Sequence, residues 1–295
     1  MVQSHANAVV VRAPATSANM GPGLDCLGMA LDLWNEVEAV PGVQPLANDE
    51  NLILRAIRAV FEEVGAAYPG FELRCTNRIP FARGLGSSAA AIACGVLIGN
   101  SCLGGPLDES ALLQLAGQIE GHPDNVVPCL LGGVRVAVMV EGGRVVQARV
   151  PVAVRLRVVC FVPDQLSSTA YARGLLPSTI PLADALFNVA RASLLVAGLA
   201  SGQPDVLGEA TRDRLHQPYR LPLFPGGTRL LKAAMQAGAL GAFTSGAGPS
   251  VLALCGENEH VDAVAASFDA TAQQLGLGGM TMRLSLTDAG AHVVG

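Results

Sequence analysis

Hydrophobic residues follow two different periods along the chain, and these periods predict its helices and strands. Over 51–64 they recur at the three-and-four-residue spacing of an amphipathic helix. Over 29–40 they alternate with polar residues, which is typical of a half-buried strand. Residues 87–102 are rich in alanine and apolar on most sides, so we expect a helix buried within the fold.

The remaining segments give a mixed order of strands and helices. We expect further strands at 8–12, 71–76, 132–140, 144–150, 155–162, 240–244, 251–255 and 280–286. We expect further helices at 108–120, 169–176, 182–199, 227–237 and 260–275. Clusters of Pro, Gly, Ser and Asn predict loops at 13–23 and 78–86. This order predicts an α+β fold with two domains, 1–153 and 154–295.

Composition narrows the class of protein. The chain has 295 residues, enough for two domains of ordinary size, and 51% of them are hydrophobic. Its net charge of −5 leaves no basic footprint, so we expect no nucleic-acid partner. Basic residues are almost all arginine, and Lys232 is the only lysine. A phosphate site that needs a lysine therefore has one candidate, which lies far in sequence from the glycines at 84–86.

Cysteine usage and hydropathy bear on the compartment. Seven cysteines without a CxxC pair indicate reduced thiols in a cytoplasmic protein rather than a disulfide framework or a zinc site. The apolar run at 89–99 is much shorter than the roughly 20 residues that span a bilayer. The N-terminal segment has no basic stretch followed by a long apolar one, so we expect no signal peptide and no membrane partner.

The most informative segment is Ile79-Pro-Phe-Ala-Arg-Gly-Leu-Gly-Ser-Ser-Ala-Ala-Ala91. Gly84 and Gly86 allow the backbone unusual dihedral angles and a close approach to a ligand. The serines that follow open the alanine-rich helix, whose first amides lack partners within the helix and carry the positive end of its dipole. A glycine loop that leads into a helix N-terminus is therefore an anion site.

Three interpretations of this segment compete. The first is a glycine turn capped by serine. The second is a dinucleotide-binding loop of the G-x-G-x-x-A type, with Asp108 about 20 residues further on, and the third is a nucleoside triphosphate site. The dinucleotide pattern needs flanking strands, but Pro80 and Arg83 precede the loop and no β-branched run precedes Asp108. A Walker A loop is excluded because no lysine follows the glycines, and protein-kinase motifs are absent. A lysine-free triphosphate site must rely on backbone amides, the helix dipole and a metal ion.

Three motifs together resemble the GHMP kinases. The segment Pro80-x-x-x-Gly84-Leu-Gly-Ser-Ser-Ala-Ala90 is similar to the central motif of that family. Ala13-Pro-Ala-Thr-Ser-Ala-Asn-Met-Gly-Pro-Gly-Leu-Asp-Cys-Leu-Gly28 resembles its N-terminal motif, and Gly241-Ala-Phe-Thr-Ser-Gly-Ala-Gly-Pro-Ser250 its C-terminal one. In this order the three span most of the chain and are highly specific together.

Within this family the chain looks like the homoserine kinases. The segments that carry this resemblance are Glu120-Gly-His-Pro-Asp-Asn-Val-Val-Pro128, Ser167-Ser-Thr-Ala-Tyr-Ala-Arg-Gly-Leu-Leu-Pro177 and His216-Gln-Pro-Tyr-Arg220. It implies an N-terminal domain like ribosomal protein S5 domain 2, a ferredoxin-like C-terminal domain and an active site between them. It also implies phosphorylation of the L-homoserine hydroxyl by ATP and Mg²⁺, giving O-phosphohomoserine in threonine biosynthesis. We expect a cytoplasmic homodimer.

The resemblance implies that the central motif forms most of the nucleotide site. The residues expected to contact ATP are Asn51, Pro80, Gly84, Leu85, Gly86, Ser87, Ser88, Ala89 and Ala90. Ser88 and Glu120 are expected to coordinate Mg²⁺, which favours oxygen ligands and keeps several waters. Asn51 suits a helix cap nearly as well as an adenine contact. The glycine loop at 245–249 is expected to close beneath the phosphate loop.

Homoserine is a zwitterion with a free hydroxyl, which defines the side chains it needs. Arg173 and Arg220 are expected to bind its carboxylate, for which the arginine fork is best suited, and Asp25 its ammonium group. Side chains expected to orient the substrate are Asn19, His122, Asn125 and Thr169. Those expected to act in the transfer itself are Ser88, Glu120, Asn125 and Thr169. No residue stands out as a general base, and the role of Asp124 stays open.

Several alternatives remain at this point. Asn19 and Asp25 suit Asx turns, Arg173 a surface helix charge, and His122 a structural role. Glu120 and His122 are only two residues apart, a shorter spacing than in some members of the family, which makes the role of His122 the least secure. Other activities are a mevalonate- or shikimate-type kinase, a non-catalytic ligand sensor and a dinucleotide-dependent oxidoreductase. The arginine pair with Asp25 favours an amino acid substrate over the first of these.

Overall fold

A computed structural model describes residues 8–42, 51–256 and 258–294. The elements of the first half are β1 (Val9–Asn19), β2 (Gly23–Pro41), α1 (Leu52–Glu63), β3 (Phe71–Thr76), α2 (Ser87–Cys102), α3 (Glu109–Glu120), α4 (Pro123–Leu131), β4 (Val134–Met139) and β5 (Val145–Val150). Those of the second half are β6 (Arg157–Pro163), α5 (Thr169–Gly174), α6 (Leu182–Ser201), α7 (Leu207–Ala210), α8 (Gln217–Arg220), α9 (Gly227–Gln236), β7 (Gly241–Thr244), β8 (Val251–Cys255), α10 (Asn258–Leu275), β9 (Gly279–Ser285) and β10 (His292–Val294).

The first half is built on an antiparallel sheet with the order β10-β1-β2-β4-β5, in which β3 also pairs with β2. Helices α2 and α4 cover one face of this sheet, and α1 packs on α2. Small alanines on α2 let these elements approach closely, and Ala89, Ala90 and Ala93 are fully buried. The helix that carries the phosphate loop is therefore fixed within the main hydrophobic core.

The second half has a four-stranded antiparallel sheet in the order β7-β8-β6-β9. Its strands and helices follow one another as strand, helices, strand, strand, helix, strand, which is the ferredoxin-like arrangement. Helices α9 and α10 cover one face and enclose a second cluster around Phe161, Phe224 and Phe268, of which the first and third are in edge contact. The predicted ferredoxin-like topology is thus confirmed.

The structure confirms the α+β class and most of the predicted elements. The expected loop at 13–23 was wrong, because β1 extends through Asn19 and β2 begins at Gly23, leaving only a turn between them. Irregular register between Pro14 and Ala15 and between Ala18 and Asn19 lets the strand continue through its turn-forming residues. The helix α4 was not expected, since its prolines resemble loop punctuation.

The division into 1–153 and 154–295 stays a prediction. The two sheets fall on either side of that boundary except for β10, which pairs with β1 through Val10↔Val294 and Arg12↔His292. The end of the described chain thus closes the edge of the first sheet. This pairing ties the two halves together a second time, beyond the connection between β5 and β6.

Helix α6 is long and apolar enough, by length and composition, to cross a membrane. Core helices of other proteins have the same length and composition. Here Leu195 and Leu199 are buried in the main core, and the buried Asn188 donates to the carbonyl oxygen of Pro22 over 3.1 Å. These contacts place α6 against the turn that joins β1 and β2.

Candidate active site

Two glycines give the phosphate loop its shape. Gly84 and Gly86 have φ values of +77° and +69°, a region that L side chains rarely occupy. A Cβ atom at Gly84 would lie 2.3 Å from the carbonyl oxygen of Ser245, and one at Gly86 would lie 1.9 Å from Oγ1 of Thr16. The loop then enters α2 at Ser87, so the first amides of this helix face the space above the loop.

The second glycine loop, 245–249, closes against the first, as expected from the sequence. Oγ of Ser245 contacts the carbonyl oxygen of Gly84 at 2.5 Å and Oγ of Ser17 at 2.8 Å. The amide of Gly246 donates to the carbonyl oxygen of Ala18 over 3.1 Å. Segments from both halves of the chain therefore meet at one point, which forms the floor of a cleft.

A hydroxyl and a carboxylate meet at the start of α2. Ser88 donates to Oε1 of Glu120, the last residue of α3, over 2.6 Å. Burial raises the pKa of Glu120 and outweighs the opposite effect of the Ser88 hydrogen bond. The described residues include no group of three or more His, Cys, Asp or Glu side chains that could hold a metal ion. Magnesium in phosphate sites takes only one or two protein ligands, so this oxygen pair fits such an ion.

The histidine next to this pair has an acidic neighbour of its own. Nδ1 of His122 lies 2.7 Å from Oδ1 of the buried Asp124, and its Nε2 lies 4.0 Å from Oε1 of Glu120. Burial acts to lower the pKa of His122, but the hydrogen bond to Asp124 and the two nearby carboxylates raise it overall. Asp124 therefore has a structural task, which is to orient this imidazole.

The backbone is unusual where the end of β1, the turn and the start of β2 meet. Asn19, Met20 and Asp25 all have positive φ values, of 69°, 44° and 59°. Non-glycine residues in this region carry strain and concentrate at functional sites. Asn19 stabilises the turn from both ends of its amide, since Nδ2 donates to the carbonyl oxygen of Gly246 over 2.7 Å and Oδ1 accepts the amide of Asp25 over 3.1 Å. The structure thus supports the structural alternative for Asn19 and leaves one lone pair of its oxygen for a ligand.

Two arginines from the second half line the same cleft. Arg173 on α5 donates to both carboxylate oxygens of Asp25 over 2.8 Å. Burial acts to raise the pKa of Asp25, yet the hydrogen bond and charge of Arg173 lower it overall. Arg220 is 5% exposed, and burial lowers its pKa. Its hydrogen bonds go to neutral acceptors at 3.4 Å, namely the carbonyl oxygens of Ala172 and Gly246 and Nδ1 of His216.

His216 supports Arg220 from below. Its Nε2 lies 2.7 Å from the carbonyl oxygen of Gly21, which can only accept, so this nitrogen carries the proton. Its Nδ1 then presents a lone pair to the guanidinium of Arg220. Asp213 holds this histidine and its neighbours by accepting the amides of Leu215, His216 and Gln217. The backbone of the β1–β2 turn and the side chain of Arg220 are thus fixed by one buried imidazole.

These features line one cleft with a volume of about 270 Å³. Its lining includes most of the residues expected from the sequence: Asn19, Asp25, Gly84, Gly86, Ser87, Ser88, Glu120, His122, Asn125, Thr169, Arg173 and Arg220. The structure therefore brings together residues from Asn19 to Arg220, which lie far apart in sequence. Thr169 stands at the exposed start of α5, on the rim of the cleft.

Five of the expected nucleotide contacts do not line this cleft: Asn51, Pro80, Leu85, Ala89 and Ala90. The two alanines and Leu85 are buried in the core, where they pack α2 and its loop into place. Asn51 caps α1, with Oδ1 accepting the amide of Ile53 over 2.9 Å, which is the alternative weighed from the sequence. Leu85, Ala89 and Ala90 therefore support the phosphate loop through core packing and do not line the cleft.

Sequence reasoning missed several residues of the lining. These are Ala18, Phe81, Ala82 and Ser167, together with Asp124, whose role was left open. Phe81 is 74% exposed beside the phosphate loop. The signal that could have drawn attention to it is its position inside the glycine-rich motif, between Pro80 and Gly84.

Comparison with known proteins agrees with this geometry. The GHMP kinases N terminal domain matches residues 51–133, and the GHMP kinases C terminal domain matches residues 195–274. The structure of L. major mevalonate kinase with R-mevalonate superposes with a TM-score of 0.70 at 16% identity, covering 95% of this chain and 96% of that one. At that identity the likeness shows a shared fold alone.

More similar relatives narrow the family. A homoserine kinase from Caldicellulosiruptor bescii is 44% identical over 265 residues, which cover 86% of each chain. One from Streptomyces avermitilis is 44% identical over 305 residues, covering 98% of this chain and 96% of the other. The crystal structure of homoserine kinase from Cytophaga hutchinsonii superposes with a TM-score of 0.88 at 30% identity and covers 100% of this chain and 99% of that one. The two halves therefore form the two-domain GHMP kinase fold, and the chain belongs to the homoserine kinase family.

Proposed function

We propose that the chain transfers the γ-phosphoryl group of ATP to the side-chain hydroxyl of L-homoserine, giving O-phospho-L-homoserine and ADP. The observation that carries this proposal is the cleft itself. At one end it has a helix N-terminus with the Ser88–Glu120 pair, and at the other a carboxylate and two arginines. The first set suits a triphosphate and the second an amino acid.

The nucleotide end has few charged groups of its own. The amides that follow Gly84 and Gly86 would hold the phosphates, assisted by the dipole of α2. Ser88 and Glu120 would hold Mg²⁺, which neutralises charge on the phosphate oxygens when it is bound. With the phosphates held by amides and Mg²⁺, the site would need no lysine. Lys232, the one lysine of the sequence, lies on α9, outside the cleft lining.

The amino acid end offers complementary charge to a zwitterion. Arg220 is buried, and among the described residues no carboxylate lies within ion-pair distance of it, so we assign it the substrate carboxylate. Asp25 would accept hydrogen bonds from the substrate ammonium group, while Arg173 holds the carboxylate of Asp25 in place. Asn125, Thr169 and His122 line the space between the two ends, where the substrate hydroxyl would approach the γ-phosphorus.

Transfer requires alignment more than covalent chemistry. The hydroxyl oxygen of homoserine forms a bond to the γ-phosphorus as the bond to the bridging oxygen of ADP breaks. The hydroxyl proton passes to an oxygen of the transferred group, because Asp124 already pairs with His122 and Glu120 accepts from Ser88. Asn125 contributes by hydrogen bonding rather than by removing the proton.

The test is release of ADP from MgATP with L-homoserine, mevalonate, shikimate and galactose as separate acceptors. Of the four acceptors, we expect only homoserine to give rapid ADP release. Phosphorus NMR should identify the product as a phosphate monoester of the homoserine hydroxyl. Equal turnover of mevalonate, or none of homoserine, contradicts the proposal. Binding of homoserine and ATP without turnover would support the ligand sensor instead.

The same proposal includes a setting for the enzyme. We place it in the cytoplasm as a homodimer in threonine biosynthesis, with no nucleic-acid or membrane partner. All seven cysteines are free thiols, which suits a reducing compartment, and the net charge of −5 is unfavourable for nucleic acid. Sedimentation of the full chain tests the dimer directly.

A further inference from the structure

Thr16 lies beneath the cleft and touches both of its working parts. It is fully buried on β1, although it carries a hydroxyl group. Its amide donates to the carbonyl oxygen of Leu85 in the phosphate loop over 3.1 Å. Its Oγ1 donates to Oδ1 of Asn125 over 2.8 Å and occupies the space beside Gly86 that a side chain there would fill. A buried hydroxyl costs free energy unless it is hydrogen-bonded, and the contact with Asn125 supplies that hydrogen bond.

The contact determines which end of the Asn125 amide faces the ligands. An amide presents an acceptor oxygen at one end and two N–H donors at the other. Because the Thr16 hydroxyl occupies the oxygen, the NH₂ group is the end left for the cleft. Among the described residues, Thr16 Oγ1 donates only to Asn125, so a flipped amide would leave its proton without an acceptor.

The direction of the amide matters because the transferred group is an anion. An NH₂ group that faces the γ-phosphate donates to its oxygens or to the substrate hydroxyl, whereas an amide oxygen in that place would repel them. Donors that are already aligned where negative charge develops stabilise a transition state without reorganisation. A free amide would spend part of its time in the wrong orientation.

We propose that Thr16 is a positioning residue that holds the NH₂ group of Asn125 towards the phosphoryl group in transfer. The proposal rests on the proposed kinase function. Through its amide, Thr16 also fixes the loop that holds the phosphates, so one buried residue sets the distance between Asn125 and the phosphate loop.

The test compares variants that keep or remove the hydroxyl. Thr16→Val should lower kcat by about 10-fold, the scale of one lost hydrogen bond in the transition state, while the KM for ATP changes by less than about twofold. Thr16→Ser keeps the hydroxyl and should restore kcat to near the wild-type value. Thr16→Ala is the second variant, since the larger methyl group of valine could press on Gly86 and disturb folding.

A double-mutant cycle separates positioning from general support. If Thr16 acts through Asn125, Thr16→Val lowers kcat in the wild-type background but has no further effect in Asn125→Ala. An equal loss in both backgrounds, or a Thr16→Ser variant as slow as Thr16→Val, overturns the proposal. The cycle uses whichever acceptor the wild type phosphorylates, or ADP release into water if it uses none, so its outcome does not depend on whether homoserine is the substrate.

Discussion

Arg173 and Asp25, 148 positions apart in sequence, form a two-pronged ion pair in which both contacts measure 2.8 Å. The pair joins α5 of the second half to the start of β2 in the first. Their side chains are 44% and 39% exposed, so the pair adds little to stability. Its effect is on the site, because it orients the carboxylate of Asp25 and occupies the fork of Arg173. The two arginines of the cleft are therefore not equivalent.

This difference leads to a prediction for the arginine variants. Arg220→Lys should raise the KM for homoserine strongly, because lysine cannot reproduce two parallel hydrogen bonds to a carboxylate. Losing a charged hydrogen bond costs about 1.5–3 kcal/mol, or roughly 10- to 150-fold in affinity. Arg173→Lys should also raise this KM but by less, since lysine can still pair with Asp25.

Steady-state kinetics with each substrate varied in turn measures both effects. The KM for ATP should change little in either variant, because the phosphates are held at the other end of the cleft. Wild-type homoserine KM in both variants would remove the arginines from the substrate pocket. A raised KM for ATP alone would assign them to the nucleotide.

Glu120 is the test of the proposed metal site. Glu120→Gln keeps the shape of the side chain and can still accept from Ser88, but it removes the charge. We expect turnover to fall by on the order of 10²–10³, the typical cost of one preorganised charge-stabilising group. Glu63→Gln, at the exposed end of α1, is the matched control and should keep wild-type turnover.

Measurement over a range of magnesium concentrations distinguishes a ligand from a structural residue. A lost ligand raises the magnesium concentration needed for half-maximal rate, and circular dichroism should remain that of the wild type. Unchanged kcat at saturating magnesium would exclude Glu120 from the site.

Two glycines provide a controlled test of the phosphate loop. Gly86 and Gly104 both have positive φ values, of 69° and 80°, so alanine is strained at each. A Cβ atom at Gly86 meets Thr16 at 1.9 Å, whereas one at Gly104 has no other atom within 4 Å. Gly86→Ala should therefore abolish most activity and raise the KM for ATP.

The Gly104→Ala variant supplies the baseline. It should lose about 1 kcal/mol of stability from backbone strain and keep its catalytic constants. Urea unfolding and kinetics on both variants separate strain from the clash. Equal kinetics in the two variants would mean that the loop tolerates a side chain at Gly86.

Local sequence patterns were sufficient to predict the phosphate loop and the helix that follows it. Helix α2 runs from Ser87 to Cys102 as predicted, because its alanine-rich sequence favours a helix and the glycines before it mark its start. The phosphate loop was recognisable for the same reason. Its chemistry depends on backbone amides, and the positions of glycines in the sequence reveal where those amides are accessible.

Other features depend on distant contacts that no local pattern contains. Helix α4 has Pro128 inside it, which cannot donate to the carbonyl group of Asp124 four residues earlier, so propensity argues against this helix. It forms nevertheless because Val126, Val127 and Leu130 are buried in the core. Nor does the sequence reveal that Asp25 and Arg173 pair with each other, because their roles were inferred one residue at a time.

His216 gives a prediction for stability against pH. The side chain is fully buried, and burial lowers the pKa of His216 below its ordinary value, despite the opposite effect of Asp213. In the unfolded chain an imidazole takes up a proton near pH 6.5, whereas in the folded protein His216 stays neutral to lower pH. The unfolded state therefore binds more protons in this range, so stability is present at higher pH and falls as the pH drops below about 6.5.

His216→Gln isolates this contribution. Glutamine can still donate to the carbonyl oxygen of Gly21 in the manner of Nε2 but does not titrate. The free energy of unfolding of the wild type, minus that of the variant, should decrease as the pH is lowered from about 8 to about 5, as measured by urea unfolding. His292→Gln, which replaces an exposed histidine outside the cleft lining, is the matched control. If the difference in free energy of unfolding between wild type and His216→Gln is constant with pH, this imidazole is not held neutral. The inference that its Nδ1 presents a lone pair to Arg220 would then be wrong.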